Sequence, residues 1–304
     1  MTVTVFSHPA CLQHNLGAEH PESPARLHAI FDQILISGLE YVLQHKDSSA
    51  ATDEQLSLAH DKNYIADLKA QTPETGLVWL DDDTAMMSKS LQAARYAAGA
   101  AINAVDLVMQ GYDQQAFCAI RPPGHHAEHA RAMGFCLFNN IAVAASYALQ
   151  HYKLQRVVIV DFDVHHGNGT EQIFHSDNRV LFCSSFEHPF YPFTDPQSTS
   201  HLLKIPLAGG SDGQLFQQFA QEQWLPAIEA FAPELILISA GFDAHYEDEM
   251  AHLKWREADY QWIATALKEM AQRHCDGRIV ACLEGGYAGS ALGRSVVAML
   301  KAWL

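Results

Sequence analysis

The sequence predicts an α/β fold in which a parallel sheet is flanked by helices on both faces. Short, continuous apolar runs recur along the chain and alternate with longer segments of helical pattern. Continuous apolar runs fit strands that are buried on both faces of a parallel sheet. Their alternation with helices favours a doubly wound arrangement. Polar clusters follow several of the runs directly, as expected where strands of such a sheet end at a ligand site.

The individual elements follow in chain order. A first strand is predicted at Val3–Phe6, and the next clear pattern is an Ala-rich helix at Ser88–Gln110 that stops at Gly111. No repeat, low-complexity tract or linker interrupts the chain, so we predict one domain over residues 1–304. The remaining elements are strand Ala116–Ile120, helix Asn140–Gln150, strands Val157–Val160 and Val180–Cys183, helix Gln214–Ala230, strand Leu235–Ile238, helix Glu257–His274 before Gly277, strand Ile279–Leu283 and helix Ser290–Leu304.

Composition excludes several classes of partner. Lys and Arg number 19 against 35 Asp and Glu, which gives a formal net charge of −16. A surface this acidic argues against direct binding to nucleic acid and to anionic membranes. No apolar run approaches the roughly 18–20 residues of a membrane span, and we expect no signal peptide in Met1–Leu12. Six cysteines without a CxxC pair favour reduced thiols, so we expect a cytoplasmic protein.

The segment Asp161-Phe-Asp163-Val-His165 follows the strand Val157–Val160 and has the residue types of a metal site. Side chains two residues apart share a side of an extended chain, so these three can point one way. Two carboxylates this close repel each other unless a cation lies between them. Asp243 follows another strand and could complete the set. Three protein ligands with an open position are typical of catalytic zinc.

Two adjacent histidines, His125 and His126, follow Arg-Pro-Pro-Gly after the strand Ala116–Ile120. Proline restricts the backbone and glycine allows an unusual turn, so both side chains should be held in place. Fixed histidines suit general acid–base catalysis, which requires positioned groups. The second ring nitrogen of each histidine needs an orienting partner, for which Asp161 and Asn168 are the candidates.

Tyr287 follows Glu-Gly-Gly after the strand Ile279–Leu283. The two glycines predict a mobile turn that could present the phenol to the metal site. A phenol O–H in that place can donate a hydrogen bond to a developing oxyanion. Gly-Gly-Tyr alone is a weak motif that is more often a plain turn.

Together these motifs resemble the histone deacetylase superfamily, which includes bacterial histone deacetylase-like amidohydrolases and acetylpolyamine amidohydrolases. Six motifs occur in the family's order and extend from about residue 8 to the C-terminus. The resemblance implies the arginase/deacetylase fold, a parallel sheet flanked by helices. The matching segments are His20-Pro-Glu-Ser-Pro-Ala-Arg26, Arg121-Pro-Pro-Gly-His-His-Ala127, Gly134-Phe-Cys-Leu-Phe-Asn-Asn140, Asp161-Phe-Asp-Val-His-His-Gly-Asn-Gly-Thr170, Ser239-Ala-Gly-Phe-Asp243 and Glu284-Gly-Gly-Tyr287.

The resemblance implies two kinds of metal ion, a catalytic zinc ion and a structural monovalent cation that is usually potassium. The implied zinc ligands are Asp163, His165 and Asp243. The implied potassium ligands are the side chains of Asp161 and Ser185 and main-chain oxygens near Asp163, His165 and Phe186. A monovalent cation there would offset the repulsion between the carboxylates.

The resemblance also implies the catalytic roles. His126 is similar to the family's general base and later acid, and His125 to its electrostatic partner, paired with Asp161. Asn168 would orient His126, as in class II members, whereas class I members have Asp; a neutral partner supports an imidazolium less. Tyr287 is similar to the residue that polarises the acyl carbonyl. Class IIa enzymes of animals carry His at this position. Because this chain keeps Tyr287, we expect full activity toward acetyl groups.

The implied substrate site is a tunnel for the stem of an acyl-lysine side chain. Gly134 and Phe135 would line the tunnel, with Tyr191 on the opposite wall. Asp82 or Asp83 falls where the family places a rim residue that bonds to the substrate backbone.

Two departures from the family pattern bear on the substrate. After Tyr191-Pro the family usually has Gly-Thr-Gly, but this chain has Phe193-Thr-Asp195, which alters the rim. Met250 falls at an apolar tunnel position where polyamine-selective members carry Glu. Glu249 replaces the usual Pro beside it, so a shift of one residue would deliver a carboxylate to the tunnel.

Several functions therefore stay open at this point. The leading hypothesis is a zinc-dependent deacylase acting on acetyl-lysine, with acetylated polyamines or other small N-acyl amines as the alternative substrates. Arginase-like hydrolysis needs a second Asp two residues beyond the histidine ligand, where this chain has Gly167. A non-catalytic binder of acylated ligands is disfavoured because the expected catalytic set, from His126 to Tyr287, is intact.

Overall fold

Eight parallel strands form the central sheet in a computed structural model that describes residues 2–304. A separate antiparallel pair of two-residue strands, β3 (Val78–Trp79) and β4 (Ala85–Met86), lies outside the sheet. The strands of the main sheet are β1 (Val3–Ser7), β2 (Leu43–Asp47), β5 (Gln115–Cys118), β6 (Val157–Asp161), β7 (Val180–Glu187), β8 (Leu202–Leu207), β9 (Leu235–Ala240) and β10 (Ile279–Leu283). Their spatial order is β2-β1-β5-β10-β9-β6-β7-β8.

Helices pack against this sheet in two groups: α4 packs with α5, while α10 packs with both α1 and α9. Every residue of the central strands β5, β6, β9 and β10 is buried, so both faces of the sheet are covered there. The helices are α1 (Ala25–Ile36), α2 (Asp53–Leu56), α3 (Lys62–Gln71), α4 (Ser90–Met109), α5 (Asn140–His151), α6 (Asn168–Phe174), α7 (Gly213–Phe219), α8 (Leu225–Phe231), α9 (Glu257–His274) and α10 (Gly289–Trp303).

The strand order explains where the polar clusters meet. β5, β10, β9 and β6 are consecutive neighbours, and all of them are parallel. Their carboxyl ends therefore lie side by side at one edge of the sheet, where parallel α/β sheets bind ligands. Each of the four polar clusters singled out in the sequence follows one of these strands.

The predicted parallel sheet flanked by helices is confirmed, with changes in the elements. The strand predicted at Ala116–Ile120 ends earlier, at Cys118, although the next residue continues its pairing because Ala119 N–H donates to Phe6 O (2.8 Å). The helix predicted at Gln214–Ala230 is present as one continuous helical segment over residues 213–231, with a π-helical turn inside it that was not predicted. It consists of α7, a π-helical turn at Ala220–Trp224 and α8, because Pro226 in the first turn of α8 has no N–H to continue the helical ladder.

All six cysteines are buried and free. None of the helices within residues 2–304 combines the length and the apolar character that crossing a membrane would require.

Candidate active site

A cluster of three buried side chains lies where β6 and β9 end. The ligand atoms of Asp163, His165 and Asp243 are all within 4.8 Å of one another. His165 Nδ1 is 3.1 Å from Asp163 Oδ1 and 3.4 Å from Asp243 Oδ2. Backbone N–H groups hold the carboxylates: Val164 donates to Asp243 Oδ1 (3.0 Å), and Gly285 donates to Asp163 Oδ2 (2.8 Å). The sequence-predicted metal ligands are thus brought together.

The electrostatics of this cluster fit a cation. Burial and the neighbouring Asp163 raise the pKa of Asp243 to about 6. Burial favours the neutral imidazole of His165, yet the two carboxylates raise its pKa to about 10. Asp243 Oδ2 is buried but accepts no hydrogen bond from any group within residues 2–304. Two carboxylates, one of which has an orphaned oxygen, and one imidazole make a donor set that suits a zinc-type divalent ion.

His125 and His126 lie beside this cluster on the loop after β5, with their ring centroids 4.0 Å apart. His125 Nδ1 is 2.9 Å from Asp161 Oδ2, and His126 Nδ1 is 2.8 Å from Asn168 Oδ1. Each of the two predicted orienting partners therefore forms a hydrogen bond with one histidine, Asp161 with His125 and Asn168 with His126.

The pKa values of His125 and His126 are shifted in opposite directions. Burial alone would lower the pKa of His125, but Asp161 and Asp163 raise it to about 10. Burial, with His125 and His165 nearby, holds the pKa of His126 well below its ordinary value. Because the amide oxygen of Asn168 accepts from His126 Nδ1–H, the other ring nitrogen, Nε2, keeps a free lone pair. One histidine is thus suited to stay protonated and the other to accept a proton.

A cavity of about 320 Å³ leads to these groups. Its walls are mainly aromatic and apolar, and its polar side chains are three histidines, Asp83, Tyr191 and Tyr287, as is typical of a small-molecule site. The lining residues are Asp83, Pro123, His125, His126, Gly134, Phe135, His165, Phe190, Tyr191, Met250, Gly285 and Tyr287.

All five residues predicted to contact substrate line this cavity: Asp83, Gly134, Phe135, Tyr191 and Met250. Asp83 Oδ1 accepts a hydrogen bond from Gly134 N–H (3.1 Å), which joins the rim to one wall. The Tyr191 ring stands edge-on to the His126 ring at 5.3 Å.

The structure distinguishes Met250 from Glu249 as the residue that faces the cavity. Met250 lines the cavity, whereas Glu249 is exposed. The one-residue shift that would deliver a carboxylate to the tunnel does not occur. In the altered rim segment, Phe193 is exposed.

The turn before Tyr287 differs from the mobile turn that its glycines predicted. Gly285 N–H is bonded to Asp163, and Gly286 O accepts from Arg26 Nε (2.7 Å). A Cβ added to Gly285 would overlap the carboxylates of Asp163 and Asp243. Gly285 is therefore required for close approach of the backbone to the carboxylates, and the turn is held on both sides.

The predicted monovalent-cation residues lie at the junction of β6 and β7. Asp161 pairs in register with Ser184, so Ser185 and Phe186 follow directly on the neighbouring strand. Ser185 Oγ is buried and finds no hydrogen-bond partner in the described part of the chain. A buried hydroxyl oxygen without a partner, one residue beyond the strand neighbour of Asp161, fits a ligand for a cation.

Two buried charged residues near the site have roles that the sequence reasoning missed. Glu284 Oε2 accepts from the N–H groups of Gly124 (2.6 Å) and His125 (3.1 Å), and its Oε1 accepts from Ser239 Oγ (3.1 Å). Arg121 donates to Glu22 (2.6 Å and 2.5 Å) and to main-chain oxygens of the segment Cys11–His14. Both belong to the motifs that resemble the family, and a charged residue directly after a predicted buried strand was the available signal.

Comparisons with known proteins agree on one family. Residues 20–303 match the histone deacetylase domain. A histone deacetylase-like amidohydrolase of Pseudomonas aeruginosa is 35% identical over 288 residues, which cover 92% of this chain and 74% of that protein. A mouse protein named polyamine deacetylase HDAC10 is 36% identical over 308 residues, which cover 93% of this chain and 45% of that protein.

A solved structure is also similar. The crystal structure of the HDA15 HD domain superposes with a TM-score of 0.93 and 32% sequence identity. The match covers 99% of this chain and 87% of that one, so it includes the sheet, the helices and the loops at the strand ends.

Proposed function

The chain belongs to the histone deacetylase family, and from this membership we propose that it is a zinc-dependent hydrolase of N-acyl amide bonds, with acetyl-lysine side chains as the preferred substrate. One observation carries the proposal. The buried cluster of Asp163, His165 and Asp243 reaches, through His165, an apolar cavity that is also lined by two oriented histidines and a tyrosine. We further propose that residues 1–304 act as a single catalytic domain.

Asp163, His165 and Asp243 would hold the zinc ion. When bound, the ion supplies Lewis-acid polarisation of the acyl carbonyl and acidification of water. The orphaned Oδ2 of Asp243 and the Nδ1 of His165 that faces both carboxylates support this assignment.

The histidines would move the protons. His126 is positioned to take a proton from the attacking water at Nε2, since its Nδ1–H is committed to Asn168. His125, kept cationic by Asp161, would stabilise the negative charge that develops beside it. His126, protonated in that step, would then donate the proton to the amine nitrogen as the C–N bond breaks, so that the amine and the carboxylic acid are the products.

Tyr287 would donate its phenol O–H to the oxyanion. The ring lines the cavity, and burial raises its pKa well above the ordinary value, so the phenol stays protonated and able to donate. The Arg26 guanidinium lies over this ring, 4.9 Å from its centroid. Arg26 therefore helps to fix the ring beside the cavity.

The walls of the cavity favour the lysine side chain among possible amines. Phe135, Tyr191 and Met250 offer apolar surface to a stem of methylene groups. Met250 gives no partner to a second ammonium group, and Glu249 is exposed. Acetylated polyamines remain the alternative substrates, because one relative is named a polyamine deacetylase and the net charge of −16 suits any cationic product.

We also propose a structural potassium ion and a reducing compartment. The buried Ser185 hydroxyl, which lacks a partner within residues 2–304, supports the first, with the Asp161 side chain and main-chain oxygens near Asp163, His165 and Phe186 as the other ligands. Six free, buried cysteines support the second, as expected of a cytoplasmic protein.

The test of the proposal is the Asp163→Ala variant. Removing one of three zinc ligands should abolish both bound zinc and hydrolysis of an acetyl-lysine peptide. Zinc is measured by elemental analysis of the purified protein, and turnover is measured on the same sample. Glu249→Gln, which removes an exposed carboxylate six residues beyond Asp243, serves as the control and should keep both. Full zinc occupancy with turnover in Asp163→Ala would refute the assignment.

A further inference from the structure

A buried carboxylate outside the proposed catalytic set connects two walls of the cavity. Asp248 lies on the loop after β9, between Asp243 and Met250, and its exposed fraction is 5%. A buried carboxylate is costly unless its oxygens accept hydrogen bonds. The partners of Asp248 therefore show what it stabilises.

The partners are backbone N–H groups of two separate segments. Asp248 Oδ2 accepts from Tyr287 N–H (2.6 Å) and Ala288 N–H (3.0 Å), whereas Oδ1 accepts from Met250 N–H (3.0 Å). One side chain thus holds the backbone of the proposed oxyanion donor and the backbone of the residue that lines the tunnel. Hydrogen bonds from N–H groups to a charged carboxylate are stronger than those between neutral groups.

The segment that contains Tyr287 and Ala288 is also the start of a helix. Ala288 is the N-cap residue of α10, the 15-residue helix Gly289–Trp303, and has no side-chain oxygen to accept from the first N–H groups. Asp248 reaches this end of the helix from another loop, where a negative charge is favourable. The backbone around Tyr287 is therefore held at two places. Asp248 accepts from the N–H groups of Tyr287 and Ala288, and Asp163 accepts from the Gly285 N–H.

We propose that Asp248 is a positioning residue of the deacylase site, which fixes the Tyr287 phenol and the Met250 wall in one arrangement through three backbone hydrogen bonds. This proposal rests on the proposed function of Tyr287 as oxyanion donor. The carboxylate itself contacts no reacting atom in this account and acts through the two segments that it holds.

The test compares variants of the full-length, zinc-loaded protein on an acetyl-lysine peptide. Asp248→Ala removes all three acceptors and should lower kcat by about 10- to 100-fold, the effect of a slightly misplaced catalytic group. Asp248→Asn should lose less, because its remaining oxygen can still accept from Tyr287 and Ala288. Glu249→Gln, the exposed neighbour, is the matched control and should keep kcat.

A double variant separates positioning from a general loss of stability. If Asp248 acts through the phenol, Asp248→Ala in a Tyr287→Phe background should lower kcat by no more than about threefold, since the phenol is already absent. The full 10- to 100-fold loss in that background would overturn the proposal. An unchanged kcat in the single variant Asp248→Ala would overturn it as well, and would leave the proposed deacylase function standing.

Amide hydrogen exchange gives a readout that does not depend on activity. In the wild type, the Tyr287 and Ala288 amides should exchange slowly, and Asp248→Ala should accelerate them while zinc content is kept. Fast exchange at these amides in the wild type would overturn the proposal even if Asp248→Ala failed to fold. If the zinc-loaded wild type hydrolyses no acyl amine, the proposed function fails, and the exchange rates alone decide whether Asp248 holds the two segments.

Discussion

Hydrogen bonds to neighbouring groups determine which ring nitrogen of His126 faces the cavity. The Asn168 amide nitrogen donates to Glu128 (3.0 Å), so its oxygen must face His126 Nδ1 (2.8 Å). That orientation leaves His126 Nε2 as the acceptor toward the cavity. A base that is neutral and correctly oriented before substrate arrives needs no rearrangement during the reaction.

The phenol of Tyr287 should matter for turnover more than for metal binding. Tyr287→Phe removes one oxyanion donor and should lower kcat by roughly 10² to 10³, while zinc content stays at the wild-type level. Steady-state kinetics on an acetyl-lysine peptide measures the loss. Tyr246→Phe removes a hydroxyl from an exposed tyrosine outside the cavity and is the control. A Tyr287→Phe enzyme with wild-type kcat would remove this residue from the mechanism.

Gly285 should be irreplaceable because of space rather than mobility. Gly285→Ala places a methyl group against the carboxylates of Asp163 and Asp243, so zinc affinity and turnover should both collapse. Gly289→Ala is the control, since its added methyl would meet only Ala29 Cβ at an ordinary 3.5 Å. Competition with a chelating dye gives the zinc affinity of each variant. Wild-type affinity in Gly285→Ala would contradict the steric explanation.

At the scale of secondary-structure elements, the central strands were predictable and the edge strands were not. β5, β6, β9 and β10 are buried on both faces and appear in the sequence as apolar runs. Within residues 2–304, β2 forms one edge of the sheet, pairs only with β1 and exposes four of its five residues. A polar strand of that kind carries no apolar run, and its position becomes visible only from its pairing partner.

The site was predictable for a related reason. Its proposed metal ligands follow the buried strands closely, so their places in the sequence already indicated a shared edge. The contacts of Asp248 were not predictable, since they join loops that are 39 and 40 residues apart in sequence. Local patterns carry no information about which backbone N–H groups a distant carboxylate will meet.

A buried histidine between elements should make stability depend on pH. His60 Nδ1 donates to Glu128 O (3.0 Å), and its Nε2 accepts from Asn139 N–H (2.9 Å), the residue that caps α5. Burial lowers the pKa of His60 to about 4. Between pH 6.5 and 4 the unfolded chain binds a proton that the folded protein excludes, so stability falls as the pH falls through this window.

The His60→Gln variant isolates this effect. The wild type should lose about 2 to 3 kcal/mol more unfolding free energy than His60→Gln between pH 7 and pH 4.5, because only the wild type carries the suppressed imidazole. Urea unfolding at the two pH values gives the difference, with the exposed His28→Gln as control. Equal losses in the wild type and in His60→Gln would show that His60 does not titrate as its burial requires.

At the scale of the whole molecule, shape and charge act together on the substrate. The cavity is mainly apolar, which suits an alkyl stem, while the net charge of −16 attracts cations to the protein as a whole. Long-range attraction does not distinguish a lysine side chain from a polyamine. Local contacts near Met250 must therefore supply the preference, and a charge pair there would be worth only about 1 kcal/mol.

The most direct measurement of the central claim is a comparison of kcat/KM for three substrates on one zinc-loaded preparation. The substrates are an acetyl-lysine peptide, N-acetylputrescine and arginine. We predict that the peptide is hydrolysed with the highest kcat/KM, that N-acetylputrescine follows several-fold lower because Met250 offers no carboxylate, and that arginine is not hydrolysed. Failure of the fully zinc-loaded protein to hydrolyse either acyl amine, or turnover of arginine, would contradict the account.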